Sequence, residues 1–329
     1  MRIFNLILLL SGGLFVACGS ADTPFPIEET LMQELMPLQG ITYPLKVEVK
    51  NNFLILQNMR RTDSLFHIYD LSNYELKTVF GAKGQGPDEF KLSWLINSHL
   101  SDILIGDHKQ IYMYDIKKDG SLVLKDMQKV GYIGGISHAA FINDSMFVVD
   151  AMHLAPSLYL LAIPDESPRK TLKYRSPDIV DYMVDPNMGN VFANESRIVF
   201  CYGYKKQIDF MDTDFNLIKR VKFTYTHPTN MQTTDQADDK ISYINGYLSK
   251  RFLYVLFVGT SWREYRDISF RNTFLEVFDL DGNPVVRYRL NGIRPTYFAV
   301  DEENFTLYGV GDNCEPEDYL LVYQLKGLL

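Results

Sequence analysis

Six times along the chain an apolar run ends on an aromatic or large apolar residue, and in four of the six an Asp follows. The equivalent positions are Tyr69, Tyr114, Leu161, Met211, Phe278 and Tyr323, so the steps are 45, 47, 50, 67 and 45 residues. That period, about 45 residues, is the length of one four-stranded propeller blade. Most copies are preceded by another short apolar run, such as Phe53-Leu54-Ile55-Leu56 or Met146-Phe147-Val148-Val149. Runs this short, rich in branched and aromatic residues and bounded by turn residues, read as strands. The expectation is an all-β chain folded as a six-bladed β-propeller. The last copy lies too close to Leu329 to be followed by a fourth strand. The stretch from Thr30 to Met36 can supply that strand and close the ring, with a helix as the competing reading.

Composition narrows the function classes. Of 329 residues, 46% are hydrophobic and the formal net charge is −8. The acidic balance argues against a nucleic-acid partner, because phosphate binding needs a concentrated basic surface. The six histidines include no pair at helical i, i+4 spacing, and no Cys–His cluster exists. The reading therefore includes no metal site and no cofactor.

The N-terminus has a basic start (Arg2), an apolar run from Ile3 to Leu10, and small residues before Cys18. This is the pattern of a secretory signal. Phe15-Val16-Ala17-Cys18 resembles the lipobox of bacterial lipoproteins, with Phe15 where Leu is usual. The resemblance implies removal of residues 1–17 and acylation (palmitate among the chains) of Cys18. Ordinary cleavage with an incidental Cys is the alternative. Gly19 stands where an Asp can act as an inner-membrane retention signal, which points to the outer membrane, with the leaflet unreadable. Residues 18–29 then form a polar, Pro-containing tether, and residues 30–329 the propeller.

Between the first and second repeats stands Gly81-Ala82-Lys83-Gly84-Gln85-Gly86-Pro87-Asp88-Glu89-Phe90. Its spacing fits no phosphate-binding loop, and no helical pattern follows it. Gly81, Gly84, Gly86, Pro87, Glu89 and Phe90 match the G-x-x-G-x-G-P-x-E-F turn that resembles the one in TolB-like six-bladed propeller lipoproteins of Gram-negative bacteria. The resemblance implies a cell-envelope address and a protein partner there. It implies no reaction, since propellers host enzymes and binders alike. The turn itself reads as structural, with glycines supplying positive φ between blades.

Strand direction alternates within a blade, so the loop between its second and third strands shares a rim with the connection to the next blade. The long step of 67 holds two insertions, 224–240 and 261–272, and both fall on that rim. The second carries Trp262, Arg263, Tyr265, Arg266 and Arg271. Aromatic and Arg residues on a loop suit stacking and bidentate carboxylate contacts. The alternative is that Trp262 and Tyr265 pack as local core. Two function classes stand. One is a binding or scaffold module for an envelope protein, peptide or glycan on this rim, held to the membrane only through its lipid. The other is a propeller hydrolase or lyase at the channel mouth, drawing on Asp107, His108, Asp150, His153 and Asp312. Cys201 and Cys314 fall in blades four and six and are expected not to pair.

Overall fold

The computed structural model describes residues 25–41, 43–58, 63–86, 89–107, 110–130, 139–150, 157–163, 167–176, 185–223, 240–267, 272–311 and 317–328. Cys18, Pro87, His108, His153, Arg271, Asp312 and Cys314 lie outside them.

Two short strands come first, β1 (Glu28–Leu31) and β2 (Glu34–Pro37). Blade one is β3 (Pro44–Lys50), β4 (Phe53–Asn58), β5 (Phe66–Asp70) and β6 (Leu76–Phe80). A two-residue pair, β7 (Ala82–Lys83) and β8 (Glu89–Phe90), precedes blade two. That blade is β9 (Ser93–Ile96), β10 (Ile103–Asp107), β11 (Gln110–Ile116) and β12 (Leu122–Lys129). Blade three is β13 (Ala139–Phe141), β14 (Met146–Asp150), β15 (Ser157–Ala162) and β16 (Lys170–Lys173). Blade four is β17 (Gly189–Ala193), β18 (Ile198–Tyr202), β19 (Gln207–Met211) and β20 (Leu217–Lys222). Blade five is β21 (Lys240–Leu248), β22 (Phe252–Ser261), β23 (Thr273–Asp279) and β24 (Pro284–Leu290), with the short helix α1 (Trp262–Tyr265) after β22. Blade six is β25 (Pro295–Asp301), β26 (Thr306–Gly311) and β27 (Tyr319–Gln324).

The ring closes through β2, which pairs antiparallel with β27 as the fourth strand of blade six. The stretch is strand, not helix. What sequence reading lacked is β1, which adds a fifth, parallel strand to blade five beside β24. The fold also begins before residue 30, since Phe25 is buried between blades four and five, stacked on Phe223 and edge-on to Phe278. Between the two strands, Gln33 donates to the Ile293 carbonyl and the Tyr323 hydroxyl and accepts from the Ile293 N–H. Further on, His67 and Tyr69 of β5 bind the carbonyls of Gly40 and Gln39, which lays the following segment on blade one.

The core is a series of apolar wedges between neighbouring blades. The wedge between blades one and two, for example, is built around Ile55, Phe66, Ile68, Leu95 and Ile105. The largest joins blades five, six and one, where Leu31 and Leu38 meet Leu325 and Leu328. The recurring Asp has a local cause. Asp70, Asp212 and Asp279 each accept backbone N–H groups of the hairpin that follows, at 2.7–3.0 Å. Such side-chain acceptors satisfy turn donors that no strand can reach.

An inner strand has no strand partner on its channel edge, yet its backbone groups still require hydrogen bonds. Side chains from the adjacent blade provide several of them. Asn97 donates to the Val47 carbonyl at 2.9 Å and Lys46 to that of Leu95 at 2.9 Å. Asn194 donates to Ser249 and Asn245 to Thr296, at 2.7 and 2.9 Å. These contacts stitch blade one to two, four to five and five to six beside the channel. Among the described residues no helix is long and apolar enough to cross a membrane.

Candidate functional site at the channel mouth

The inner strands of all six blades surround a cavity of about 380 Å³, lined by Lys46, Trp94, Asn190, Asn245 and Tyr297 among others. Asp150 at the end of β14 and both Trp262 and Tyr265 of α1 complete its wall. The 261–272 insertion thus reaches the channel itself through α1.

Local chemistry fixes α1 there. Ser261 caps the helix by accepting the Glu264 N–H, while the Glu264 carboxylate accepts the Ser261 N–H, a reciprocal capping box. Thr260 also donates to Glu264, and these hydrogen bonds hold that carboxyl below its usual range. Trp262 is half-buried and its ring meets Tyr265 edge-on, with centroids 5.7 Å apart. Its indole N–H donates to the Tyr204 hydroxyl at 3.3 Å. Tyr265 is buried against Ile241 and Val258. Buried Arg294 donates to the Tyr265 carbonyl at 2.6 Å and lays its guanidinium 3.6 Å from the Tyr265 ring centre. Trp262 and Tyr265 form a small core that roofs the channel, and Arg263 and Arg266 stand exposed beside it.

Of the residues considered for catalysis, Asp107 and Asp150 are described, and they do different things. Asp107 is buried, and its two oxygens accept the N–H groups of Lys91 and Leu92 at 3.1 and 2.6 Å. It shapes the chain's entry into β9 and lies beside a second cavity, away from the channel. Asp150 lines the channel and accepts the Tyr174 hydroxyl at 2.7 Å. Among the described residues, no group of three or more His, Cys, Asp or Glu could hold a metal ion. Cys201 is a buried free thiol whose pKa burial drives well up.

The glycine-rich turn is built around Glu89. Its Oε2 accepts the N–H groups of Gln85 and Gly86 at 2.8 and 2.7 Å. A Cβ on Gly84 would stand 2.0 Å from that same oxygen, so the carboxylate occupies the space that glycine leaves. Gly81 has φ +75°, and a Cβ there would meet the Phe90 ring at 2.9 Å. Phe90 in turn is buried edge-on against Phe66.

Sequence reading missed Lys46, Trp94 and Tyr297. Lys46 is buried, with Nζ 4.2 Å from the Trp94 ring centre and 5.4 Å from that of Tyr297. Burial brings its pKa down to about 7. The nearby pair Glu48 and Lys50 is also buried, and burial raises the first and lowers the second. In β3 these charges alternate with Leu45, Val47 and Val49, a pattern that sequence alone assigns to a solvent face.

Residues 27–152 match the family described as TolB-like 6-blade propeller-like. No curated protein matches the sequence. Among solved structures, an exported protein of Bacteroides fragilis aligns with TM-score 0.55 at 12% identity, covering 90% of this chain and 98% of its own. A member of the DUF4221 family from Bacteroides vulgatus aligns with TM-score 0.56 at 16% identity, covering 89% of this chain and 95% of its own. Likenesses at this identity speak to fold. The chain is a six-bladed β-propeller, TolB-like over residues 27–152.

Proposed function

We propose that this propeller is a binding or scaffold module of the cell envelope that meets its partner on the rim carrying α1. The observation that supports this most is the roof over the channel. Trp262 and Tyr265 are held by a capping box, the Tyr204 hydroxyl and Arg294, so Arg263 and Arg266 are presented from a fixed base. A preorganised base lowers the ordering cost of association. Two arginines on it suit a carboxylate-bearing protein, peptide or glycan. The Bacteroides fragilis neighbour, described as exported, is consistent with an envelope setting.

The test is retention of envelope components by the mature protein and by two variants. Arg263→Ala with Arg266→Ala should weaken retention of a specific component about tenfold, roughly 1.4 kcal/mol, and leave the melting temperature unchanged. Trp262→Ala should weaken it by about 2 kcal/mol and also lower the melting temperature, because that side chain is both roof and anchor. Unchanged retention by both variants would remove this rim from the site.

The same reading places the protein on a membrane through Cys18, after removal of residues 1–17, with the outer membrane favoured by Gly19. One acyl chain gives only marginal attachment, whereas several on one residue anchor firmly. Cys18→Ala should shift the protein from the membrane fraction to the soluble periplasm. Persistent sedimentation with membranes after a salt wash would defeat the lipid anchor.

A further inference from the structure

Among the described residues Lys46 is a buried amine with no carboxylate in ion-pair contact, and Glu48 favours its charge only from a distance. Lys46 is 6% exposed, and its Nζ donates to one acceptor, the Leu95 carbonyl. An ammonium has three donors. Among the described residues no carboxylate lies within 4.0 Å of it. Glu48, two positions along the strand, is engaged by Lys50 at 3.5 Å and by the N–H groups of Val49 and Ser98. Lys50, also buried, contrasts with this because it sits beside Glu48, and the partly buried Lys206 sits beside Glu276. An unpaired charge away from water is costly, and a group in that position usually responds by giving up its proton. The lowered pKa of Lys46, about 7, is that response. The cost is met in a place where something else can be bound, because Lys46 lines the channel cavity together with Trp94 and Tyr297.

We propose that the channel mouth binds a small organic carboxylate, with its charged end on Lys46 Nζ and its body against Trp94 and Tyr297. A carboxylate supplies the two acceptor oxygens that the free donors of Lys46 lack, and it restores the charged amine. A monoanion fits better than a phosphate ester. Among the described lining residues Lys46 is the one cation, and Asp150, on blade three of the same wall, opposes a second negative charge. The aromatic faces and the amides of Asn97, Asn190 and Asn245 suit a flat or ring-shaped body. This site adjoins the rim proposed for a macromolecular partner through Trp262, but its charged group is Lys46 rather than Arg263 or Arg266.

The chain has 2 tryptophans, Trp94 and Trp262, and both line this cavity. Intrinsic fluorescence therefore reports on the site directly. The mature protein is titrated with phenylacetate, cyclohexanecarboxylate and D-glucuronate, each against its neutral amide, with calorimetry as a second readout. At least one acid should bind at least tenfold more tightly than its amide. Lys46→Met should abolish that preference and melt at the same temperature or higher, because an uncompensated buried charge has been removed. Lys46→Gln serves the same purpose should the Met variant fail to fold. The Arg263→Ala, Arg266→Ala variant should keep the preference, which separates this site from the rim. Acids that bind no better than their amides, or not at all at millimolar concentration, would overturn the proposal. So would a preference that survives loss of the amine.

Discussion

A soluble form that begins at Leu38 should lose cooperative folding throughout, rather than fraying at blade six alone. The truncation removes β1 and β2, and with them the strand that pairs with β27. It also removes buried Phe25 and Leu31. Large-to-small changes at such positions cost about 3–5 and 2–5 kcal/mol respectively. Their sum is already comparable with the ~5–15 kcal/mol that holds a typical domain together. The freed edge of β27 would then invite pairing with another chain, so aggregation should accompany unfolding. A milder version isolates the clasp. Gln33→Ala takes the acceptor from the Ile293 N–H, while the Ile293 carbonyl keeps the Tyr323 hydroxyl at 3.0 Å, and should cost about 1–3 kcal/mol. Met32, beside it and exposed, should be replaceable by Ala within about 0.5 kcal/mol. Thermal and urea unfolding of the three forms is the measurement. A truncated chain that still melts in one sharp transition near the parent temperature would show that ring closure contributes little.

The features legible in the sequence are those whose cause is local. The Asp that follows Tyr69, Met211 and Phe278 repeats because each hairpin needs an acceptor at that point, and a local need leaves a fixed spacing. The closing strand was legible for a different reason, since blade six was visibly one strand short. Its companion β1 was not, because parallel addition to a distant blade leaves no turn signal and no spacing to count. Charges misled more than any other residues. Lys46, Glu48 and Lys50 alternate like an exposed face, but in an inner strand that face is turned to the channel and to blade two. Only the ring supplies the neighbours that make their burial tolerable. Trp262 stayed undecided between core and contact for a physical reason too. An aromatic residue that roofs a channel packs on one side and faces the cavity on the other, and its residue type does not distinguish the two.

The buried network around Glu276 should be the most sensitive charged site in the molecule. Glu276 is fully buried in β23 and is approached by Lys206 Nζ at 2.9 Å and Arg287 Nε at 3.3 Å, both on Oε1. Tyr243 donates to the other oxygen at 2.9 Å. Oε1 meets its two cations by charge rather than by aligned hydrogen bonds. Aromatic rings cover part of both cations. Lys206 Nζ lies 4.2 Å from the ring centres of Phe223 and Phe257, and the Arg287 guanidinium 3.9 Å from that of Phe274. Glu276→Ala would remove the carboxylate that both cations share, leaving Arg287 with Glu28 at 3.5 Å, and would strand the Tyr243 hydroxyl. Breaking a buried pair from one side costs about 3–5 kcal/mol. Arg287 keeps some contact with solvent, which argues for the lower half of that range. Glu276→Gln keeps the acceptor for Tyr243 and should cost less than Glu276→Ala. The decisive comparison is Glu276→Leu alone and together with Lys206→Met. If the penalty is the stranded charge, the second substitution should restore part of what the first removed, and the pair will be non-additive by about 1 kcal/mol or more. Simple additivity in urea unfolding, or a loss below about 1 kcal/mol for Glu276→Ala, would mean that water reaches the network and that the wedge between blades four and five is held by its apolar contacts alone.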